Sequence, residues 1–251
     1  MSPWEFDVRK LPLFNKLLFN KLRPVLCVCL LLLSPSAFAQ QSYIGRFDAY
    51  AGFMYFDSPH INLAERGFHT QGGVRVRTWV SLGLDYSIDS GHTSLSSDLF
   101  TTSLQQQLGA QLAQLAAAGR LPPGYVFSLP IDSRTETYAA GPQFGLHRWS
   151  LVTLYIRPSF GAIHETATLH PQDPIATALA AQLAPSGKKT DWTPFYGFGG
   201  GADINVTKNF AVRLNVDFVH DHLFSDVLRD GRNTIRLAIG PAFQFGGNVR
   251  K

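Results

Sequence analysis

Apolar residues alternate with polar or small residues in about eight segments of the chain, all after residue 46. From Val80 to Asp89, each even-numbered residue is apolar and each odd-numbered residue is Ser, Gly or Asp. From Ile235 to Phe245, apolar residues again occupy every second position. Side chains of a strand point alternately to its two faces, whereas a helix needs a period of 3.6. The alternation therefore predicts an all-β chain.

The connections between these segments differ in length in a regular way. The other six strands are predicted at about 47–57, 71–77, 135–147, 151–163, 191–206 and 210–219. Tight links are predicted near 77–79, 147–150 and 207–209, and long loops at about 58–70, 90–134, 164–190 and 220–234. An even number of antiparallel strands, with tight turns at one end and long loops at the other, is typical of outer-membrane barrels. The pattern predicts an eight-stranded up-and-down transmembrane β-barrel.

The two faces of the predicted strands differ in chemistry. One face carries bulky apolar side chains, and the other carries glycines, such as Gly199 and Gly201, together with charged residues. These charged residues are Asp48, Arg75, Arg77, Asp85, Arg157, Asp203, Arg213, Asp217 and Arg236. Side chains just fill the inside of an eight-stranded barrel, so we predict that these charges pair in the lumen while the apolar face contacts lipid.

A β-sandwich with its charged face in water is an alternative, because it permits the same alternation. Two tryptophans favour the membrane barrel. Trp79 and Trp149 lie in tight turns, where an aromatic girdle would meet the periplasmic interface of the membrane.

The N-terminal segment has the order of a secretory signal peptide. Basic residues from Arg9 to Arg23 precede an apolar run at 25–33, and Ala37-Phe38-Ala39 follows as a small-residue cleavage site. A membrane anchor is the alternative, but the run has about half of the ~20 residues that a spanning helix needs. We predict that residues 1–39 are removed, that residues 40–251 form the barrel, and that the mature N-terminus is periplasmic.

Loss of this segment excludes two classes of function. Both cysteines, Cys27 and Cys29, lie within it, so the mature chain has no thiol chemistry and no disulfide. Five of the 22 Lys and Arg residues and two of the 18 Asp and Glu residues also lie within it, which leaves 17 basic and 16 acidic residues. This near-neutral charge does not favour nucleic-acid binding.

The last predicted strand contains Gly240, Phe243 and Phe245, a spacing that resembles the signal read by the barrel assembly machinery of the outer membrane. With segments such as 79–86 and 212–218, the mature region resembles the OmpA-like family of eight-stranded outer-membrane barrels. The resemblance implies this machinery, outer-membrane lipid and lipopolysaccharide as partners. The chain departs from the full-length family type by ending at Lys251, so a peptidoglycan-binding role is not implied.

Two of the predicted long loops contain leucine stripes with helical spacing. Leu104, Leu108, Leu112 and Leu115 form the first stripe, and Ile175, Leu179 and Leu183 form the second. An exposed leucine stripe would be sticky. We therefore expect short helices in extracellular loops 2 and 3, which either pack on each other as a cap over the barrel mouth or rest separately on the rim.

Histidines and one hydroxyl group near the predicted rim are the candidates for chemistry. His220, Asp221 and His222 end the seventh strand, with His92 and His164 near the same rim, and such groups can bind a transition metal. Histidine is also common at wet interfaces, so we predict no metal site and no cofactor.

A hydrolytic site is the other possibility at this rim. His222, Ser225 and Asp226 invite comparison with lipid A deacylases, which place His and Ser two residues apart on one strand face, whereas here they are three apart in a loop. We therefore predict no catalytic residue. The expected function is that of a non-enzymatic surface protein with a structural or binding role and no identified extracellular ligand; a small-solute pore and, less favoured, a lipid-modifying enzyme remain open.

Overall fold

A computed structural model describes residues 41–249, which form one closed barrel of eight antiparallel strands in up-and-down order. The strands are β1 (Gly45–Ser58), β2 (Leu63–Arg77), β3 (Val80–Ser96), β4 (Ser128–Leu146), β5 (Val152–Leu169), β6 (Lys188–Asn205), β7 (Phe210–Asp221) and β8 (Arg232–Asn248). β1 pairs with β8, so the ring has no free edge. The predicted eight-stranded barrel is confirmed, and the predicted cleavage after Ala39 lies outside the described residues.

Two α-helices interrupt the long connections. Helix α1 (Thr102–Ala117) lies between β3 and β4, and helix α2 (Pro174–Leu183) lies between β5 and β6, as the leucine spacing predicted. Within residues 41–249, neither helix is long and apolar enough to cross a membrane. We call the end of the barrel that carries these helices the loop end, and the end with the tight links the turn end.

The strands are longer than the sequence predicted, mainly toward the loop end. They have 12 to 19 residues, whereas a tilted strand needs about 9–11 to cross a membrane. The long loop predicted at 58–70 is wrong, since β2 begins at Leu63 and only residues 59–62 separate it from β1. Asn62 closes this tight link in the left-handed region, with φ of 50°. The strands therefore extend beyond the apolar band.

Within the apolar band, alternation along the strands divides the side chains as predicted. On β7, Arg213 and Asp217 are buried, while the alternating Leu214, Val216 and Phe218 are exposed. Exposed bulky residues without charge belong to the lipid-facing band of a membrane barrel. The interior beneath this band holds the charged groups.

Candidate functional site

Inward positions of the strands carry five buried arginines, each beside at least one carboxylate. They form three layers along the barrel axis. The turn-side tier contains Asp48, Arg75, Asp203 and Arg213; the middle tier contains Asp85, Arg157, Asp217 and Arg236; the loop-side tier contains Glu165, Asp221 and Arg232. Eight of the nine charged residues predicted from the sequence lie in the first two tiers.

The turn-side tier is organised around Arg213, whose side chain is fully buried. Its Nε and Nη2 donate to the two carboxylate oxygens of Asp203 at 2.7 and 2.9 Å, and its Nη1 donates to Oε1 of Gln71 at 2.9 Å. The guanidinium also lies 5.7 Å from the ring centre of Tyr50 and 5.2 Å from that of Tyr155. Two-pronged hydrogen bonding and aromatic faces are the surroundings that a guanidinium prefers when it is buried.

Arg75 completes this tier on the opposite wall. Its Nη1 donates to the carbonyl oxygen of Gly45 at 2.9 Å, and its Nη2 lies 4.0 Å from Asp48. Asp48 is also 3.4 Å from Arg213, so one carboxylate lies between two arginines.

The middle tier is a chain of charges across the barrel. Arg157 bridges Asp85 and Asp217, and Arg236 approaches the same Asp217 at 3.4 Å. His69 extends the chain, since its Nε2 lies 2.6 Å from Asp85 Oδ1. All five side chains are buried, so each charge depends on its neighbours for the interactions that water would otherwise supply.

Sequence reasoning missed the loop-side tier. Arg232 donates to Glu165 at 2.6 Å and to Asp221 at 3.1 Å, and Ser133 donates to Glu165 at 2.9 Å. Glu165, Asp221 and Arg232 all fell in predicted loops. Because β5, β7 and β8 extend further than predicted, these residues occupy inward strand positions.

Arg77 does not belong to the lumen network, contrary to the prediction. Its side chain is exposed, whereas Arg75 two residues earlier is buried. The register between β2 and β3 shifts between Arg75 and Arg77, so Ser81 pairs with Arg75 and Val80 with Arg77. Such a bulge interrupts the alternation on which the prediction relied.

Glycines of β6 make room for the charged interior. A methyl group at Gly199 would collide with the carboxylate of Asp217, and one at Gly201 would collide with the backbone oxygen of Leu214 and meet the hydroxyl of Tyr155 at 2.5 Å. These two positions require glycine because the backbone of β7 and the facing side chains occupy the space of a Cβ.

Aromatic side chains surround the outside of the barrel near both ends. At the turn end, the exposed Trp79 stacks on Phe144 at 6.1 Å, and Trp149 is half-buried in the β4–β5 link. Toward the loop end, Trp192 stacks on Tyr138 at 5.8 Å and on His164 at 4.6 Å. The sequence analysis did not predict this second group of aromatic residues. Two such girdles mark the interfaces of a membrane barrel.

Of the predicted assembly-signal residues, Gly240 lies at the middle of β8, and Phe243 and Phe245 lie nearer its turn end. Phe243 and Phe245 point outward and are each half exposed, and Phe245 stacks on Phe47 of β1 at 5.6 Å. A methyl group at Gly240 would collide with the backbone of Ala51, so close approach of β1 requires glycine there.

At the loop end, apolar side chains form a cluster that we call the dome. Its members come from the strand ends, both helices and the β7–β8 loop, and include Leu63, Leu95, Leu129, Ile131, Leu104, Leu108, Leu179, Leu223, Phe224 and Leu228. The loop 222–231 is the part that sequence reasoning missed. It is joined to the start of α1, since Thr101 N donates to Val227 O at 2.8 Å and Arg229 N to Leu99 O at 3.0 Å.

A polar link joins α2 to the segment that follows α1. Asp173 caps α2 by accepting hydrogen bonds from the backbone N–H groups of Ile175 and Ala176, both at 2.8 Å. The hydroxyl of Tyr125 donates to the same carboxylate at 3.0 and 3.1 Å. Desolvation and this carboxylate raise the pKa of Tyr125 to about 12, so the phenol stays protonated and able to donate at neutral pH. Both helices thus belong to one assembly rather than resting separately on the rim.

Replacing Asp173 with Ala should loosen α2 more than replacing Tyr125 with Phe. The first change removes both the helix cap and the link, and loss of a cap alone costs about 1 kcal/mol. The second removes only the phenol donor. Hydrogen exchange of the α2 amides in the folded barrel should therefore be faster in Asp173→Ala than in Tyr125→Phe, and equal rates would contradict the capping role.

The rim residues that were considered as metal ligands or hydrolytic groups contact different partners. His222 faces His220, with their Nε2 atoms 3.3 Å apart, while Asp226 accepts a hydrogen bond from Lys189 at 2.6 Å and Ser225 is exposed. His164 lies against Trp192, away from this pair. In residues 41–249, no three His, Cys, Asp or Glu side chains converge as a metal site.

Comparison with known proteins gives one family and several distant structures. The model of the outer membrane protein beta-barrel domain family matches residues 25–245. Among solved structures, Neisserial surface protein A is 12% identical over 79% of this chain and 96% of its own, with a TM-score of 0.49. Ail, the attachment invasion locus protein of Yersinia pestis, is 12% identical over 80% and 99%, with a TM-score of 0.43. OprG from Pseudomonas aeruginosa is 10% identical over 82% and 98%, with a TM-score of 0.44. A comparison with curated protein sequences gave no match.

Proposed function

Because this chain belongs to the outer membrane protein β-barrel domain family and is a bacterial outer-membrane barrel, we propose that it is a non-enzymatic surface protein whose lumen is closed. Its tight turns and N-terminus then face the periplasm, and the dome faces the outside. In this proposal the barrel is an anchor, and the dome carries a structural or binding role. Recognition of Gly240, Phe243 and Phe245 by the assembly machinery, and contact with lipopolysaccharide, belong to the same proposal.

The observation that carries the closed lumen is that ion pairs join strands that are not neighbours. Arg157 of β5 bridges Asp85 of β3 and Asp217 of β7, and Arg232 of β8 reaches Glu165 of β5. A contact between strands separated by another strand has to cross the interior. All three tiers contain such contacts, because Arg213 of β7 also reaches β1 and β2.

Separating these pairs would be costly. Removing one partner of a buried ion pair typically costs about 3–5 kcal/mol because the other charge is left uncompensated. A solute passing through would have to part several of these pairs in succession and then pass the apolar dome. This favours a plugged lumen over a small-solute pore.

A surface role is supported by the chemistry of the dome's outer side. The exposed face of α1 carries Gln106, Gln107, Ala110, Ala113 and Gln114, and no residue of this helix is charged. Such a face suits hydrogen bonding to a protein or sugar partner rather than electrostatic attraction. The separate engagement of His222 and Asp226 supports a non-enzymatic role.

Conductance tests the closed lumen. The folded protein in planar bilayers should give no stable single-channel openings. The charge-balanced variant Arg157→Ala/Asp85→Ala empties part of the middle tier and leaves Asp217 beside Arg236 at 3.4 Å. Heat-modifiable migration on a detergent gel would verify that the unaltered protein and the double variant are both folded. Openings only in the double variant would support the tiers as the barrier, whereas a steady conductance from the unaltered protein would contradict the proposal.

A further inference from the structure

The histidine pair at the loop end has a geometry that hydrogen bonding explains poorly. His220, near the end of β7, and His222, just after it, lie two residues apart on the outer side of the barrel. Their Nε2 atoms are 3.3 Å apart and their rings meet at 89°. Hydrogen bonds from an N–H group normally span about 2.7–3.2 Å, so this contact is longer than that range.

Neighbouring groups hold both rings in place. Asn233 pairs with His220 in the β7–β8 register, and its Oδ1 lies 2.8 Å from His220 Nδ1. With Nδ1–H donating to this amide oxygen, Nε2 of His220 carries the free lone pair. The backbone of Gly231 lies against the ring of His222, because an added methyl group there would meet Nδ1 of that ring at 2.8 Å. A histidine whose second nitrogen is held by a hydrogen bond is the usual arrangement of an imidazole metal ligand.

The separation of the two nitrogens matches ligation of a single ion. Zinc–imidazole bonds are about 2.0–2.1 Å long, so two such bonds at a tetrahedral angle place their nitrogens about 3.3–3.4 Å apart. We infer that His220 and His222 together bind one divalent transition-metal ion, Zn²⁺ or Cu²⁺, with water at the remaining positions. Asn233 acts as the group that orients His220.

The position of the pair suits an open, exchangeable site. His220 follows Phe218 on the outer face of β7, just beyond the apolar band, and His222 is exposed. Because no third protein ligand of the His, Cys, Asp or Glu type converges there within residues 41–249, the ion would be held by two imidazoles and would exchange with the surroundings. The sequence analysis predicted no metal site because histidine is common at wet interfaces, and it could not place Asn233 beside His220, which depends on the β7–β8 register.

The test is titration of the full folded protein, without a polyhistidine tag, with Cu²⁺, which binds such ligands more tightly than the other first-row divalent ions. We expect one equivalent bound at neutral pH and an electron paramagnetic resonance spectrum with coupling to two nitrogens. His222→Gln should weaken binding at least 10-fold. Asn233→Ala should weaken it by about 10-fold, the lower end of what loss of an orienting partner causes. Acidification should release the metal because protons compete for the imidazoles.

His164→Gln is the matched control, since that histidine is also at the loop end but stacks on Trp192. Each variant has to show heat-modifiable migration, which these outer-face substitutions should leave intact. Cu²⁺ binding that persists unchanged in His220→Gln/His222→Gln would overturn the inference. Equal weakening by His164→Gln would overturn it as well, because binding would then not belong to this pair.

Discussion

Replacing Arg213 with Met should lower the free energy of unfolding by about 3–5 kcal/mol, the typical cost of leaving a buried carboxylate without its partner. Arg213 is fully buried and holds both oxygens of Asp203, whereas Asp48 keeps Arg75 at 4.0 Å. Asp203 is therefore the carboxylate that loses its cation. Urea titration of the folded barrel in detergent should show the midpoint falling by at least about 1 M, given slopes of about 1–3 kcal/mol/M.

Two further variants separate charge from packing. Arg213→Met/Asp203→Asn should recover more than half of the loss, because no uncompensated carboxylate then remains. Arg134→Ala is the matched control on the outer face, where the exposed Arg134 lies 3.4 Å from Glu136, and such surface pairs contribute at most about 1 kcal/mol. If the double variant were as unstable as Arg213→Met, the loss would come from packing against Tyr50 and Tyr155 instead.

The membrane part of the fold could be predicted because its apolar residues lie mainly on one face of each strand and its polar residues on the other. On β3, Leu82, Leu84 and Tyr86 are exposed while Ser81 and Asp85 are buried, which is the pattern that lipid imposes. Every charged residue found from that pattern lies in the lumen except Arg77. A bulge has no clear signature in the alternation, so that exception could not be foreseen.

Beyond the apolar band, apolar side chains point inward and polar ones point outward. The sequence analysis predicted loops for these strand ends. On β4, Leu129 and Ile131 point inward while Asp132 and Arg134 point outward, as in a barrel surrounded by water. On β2, Glu65 is buried and Arg66 is exposed, so both faces carry charged groups. Apolar residues on the outer face identify a strand only where that face contacts lipid. For that reason the loop-side tier, at these strand ends, was missed.

The partners of each ion pair could not be predicted from the sequence, for a different reason. Which arginine meets which carboxylate depends on strand register and on contacts across the lumen. Arg232 and Glu165 are 67 residues apart, and Arg213 and Asp48 are 165 apart. The closeness of His220 and His222 is local, but the role of Asn233 required the β7–β8 register.

The dome should respond to a single substitution without loss of the barrel. Leu179 of α2 is 1% exposed and packs in the dome, whereas the side chain of its neighbour Ala178 is exposed. Leu179→Asp would place a carboxylate among apolar side chains, and burying an unpaired charge costs free energy. The helix avoids that cost by undocking from the dome. Even truncation of a buried leucine to alanine typically costs about 2–5 kcal/mol.

A loss of 2 kcal/mol in local stability raises the population of the opened dome about 30-fold, because each 1.4 kcal/mol corresponds to a factor of ten. A broad-specificity protease should therefore cut Leu179→Asp at least 10-fold faster than Ala178→Asp, the matched control. The new cuts should fall in 170–187 and also in 222–231, since Phe224 and Leu228 share the cluster with Leu179. Heat-modifiable migration of the remaining barrel should persist because the charged tiers lie outside the dome. Cleavage confined to 170–187 would mean that the two loops open independently, and the dome would then not be one cooperative unit.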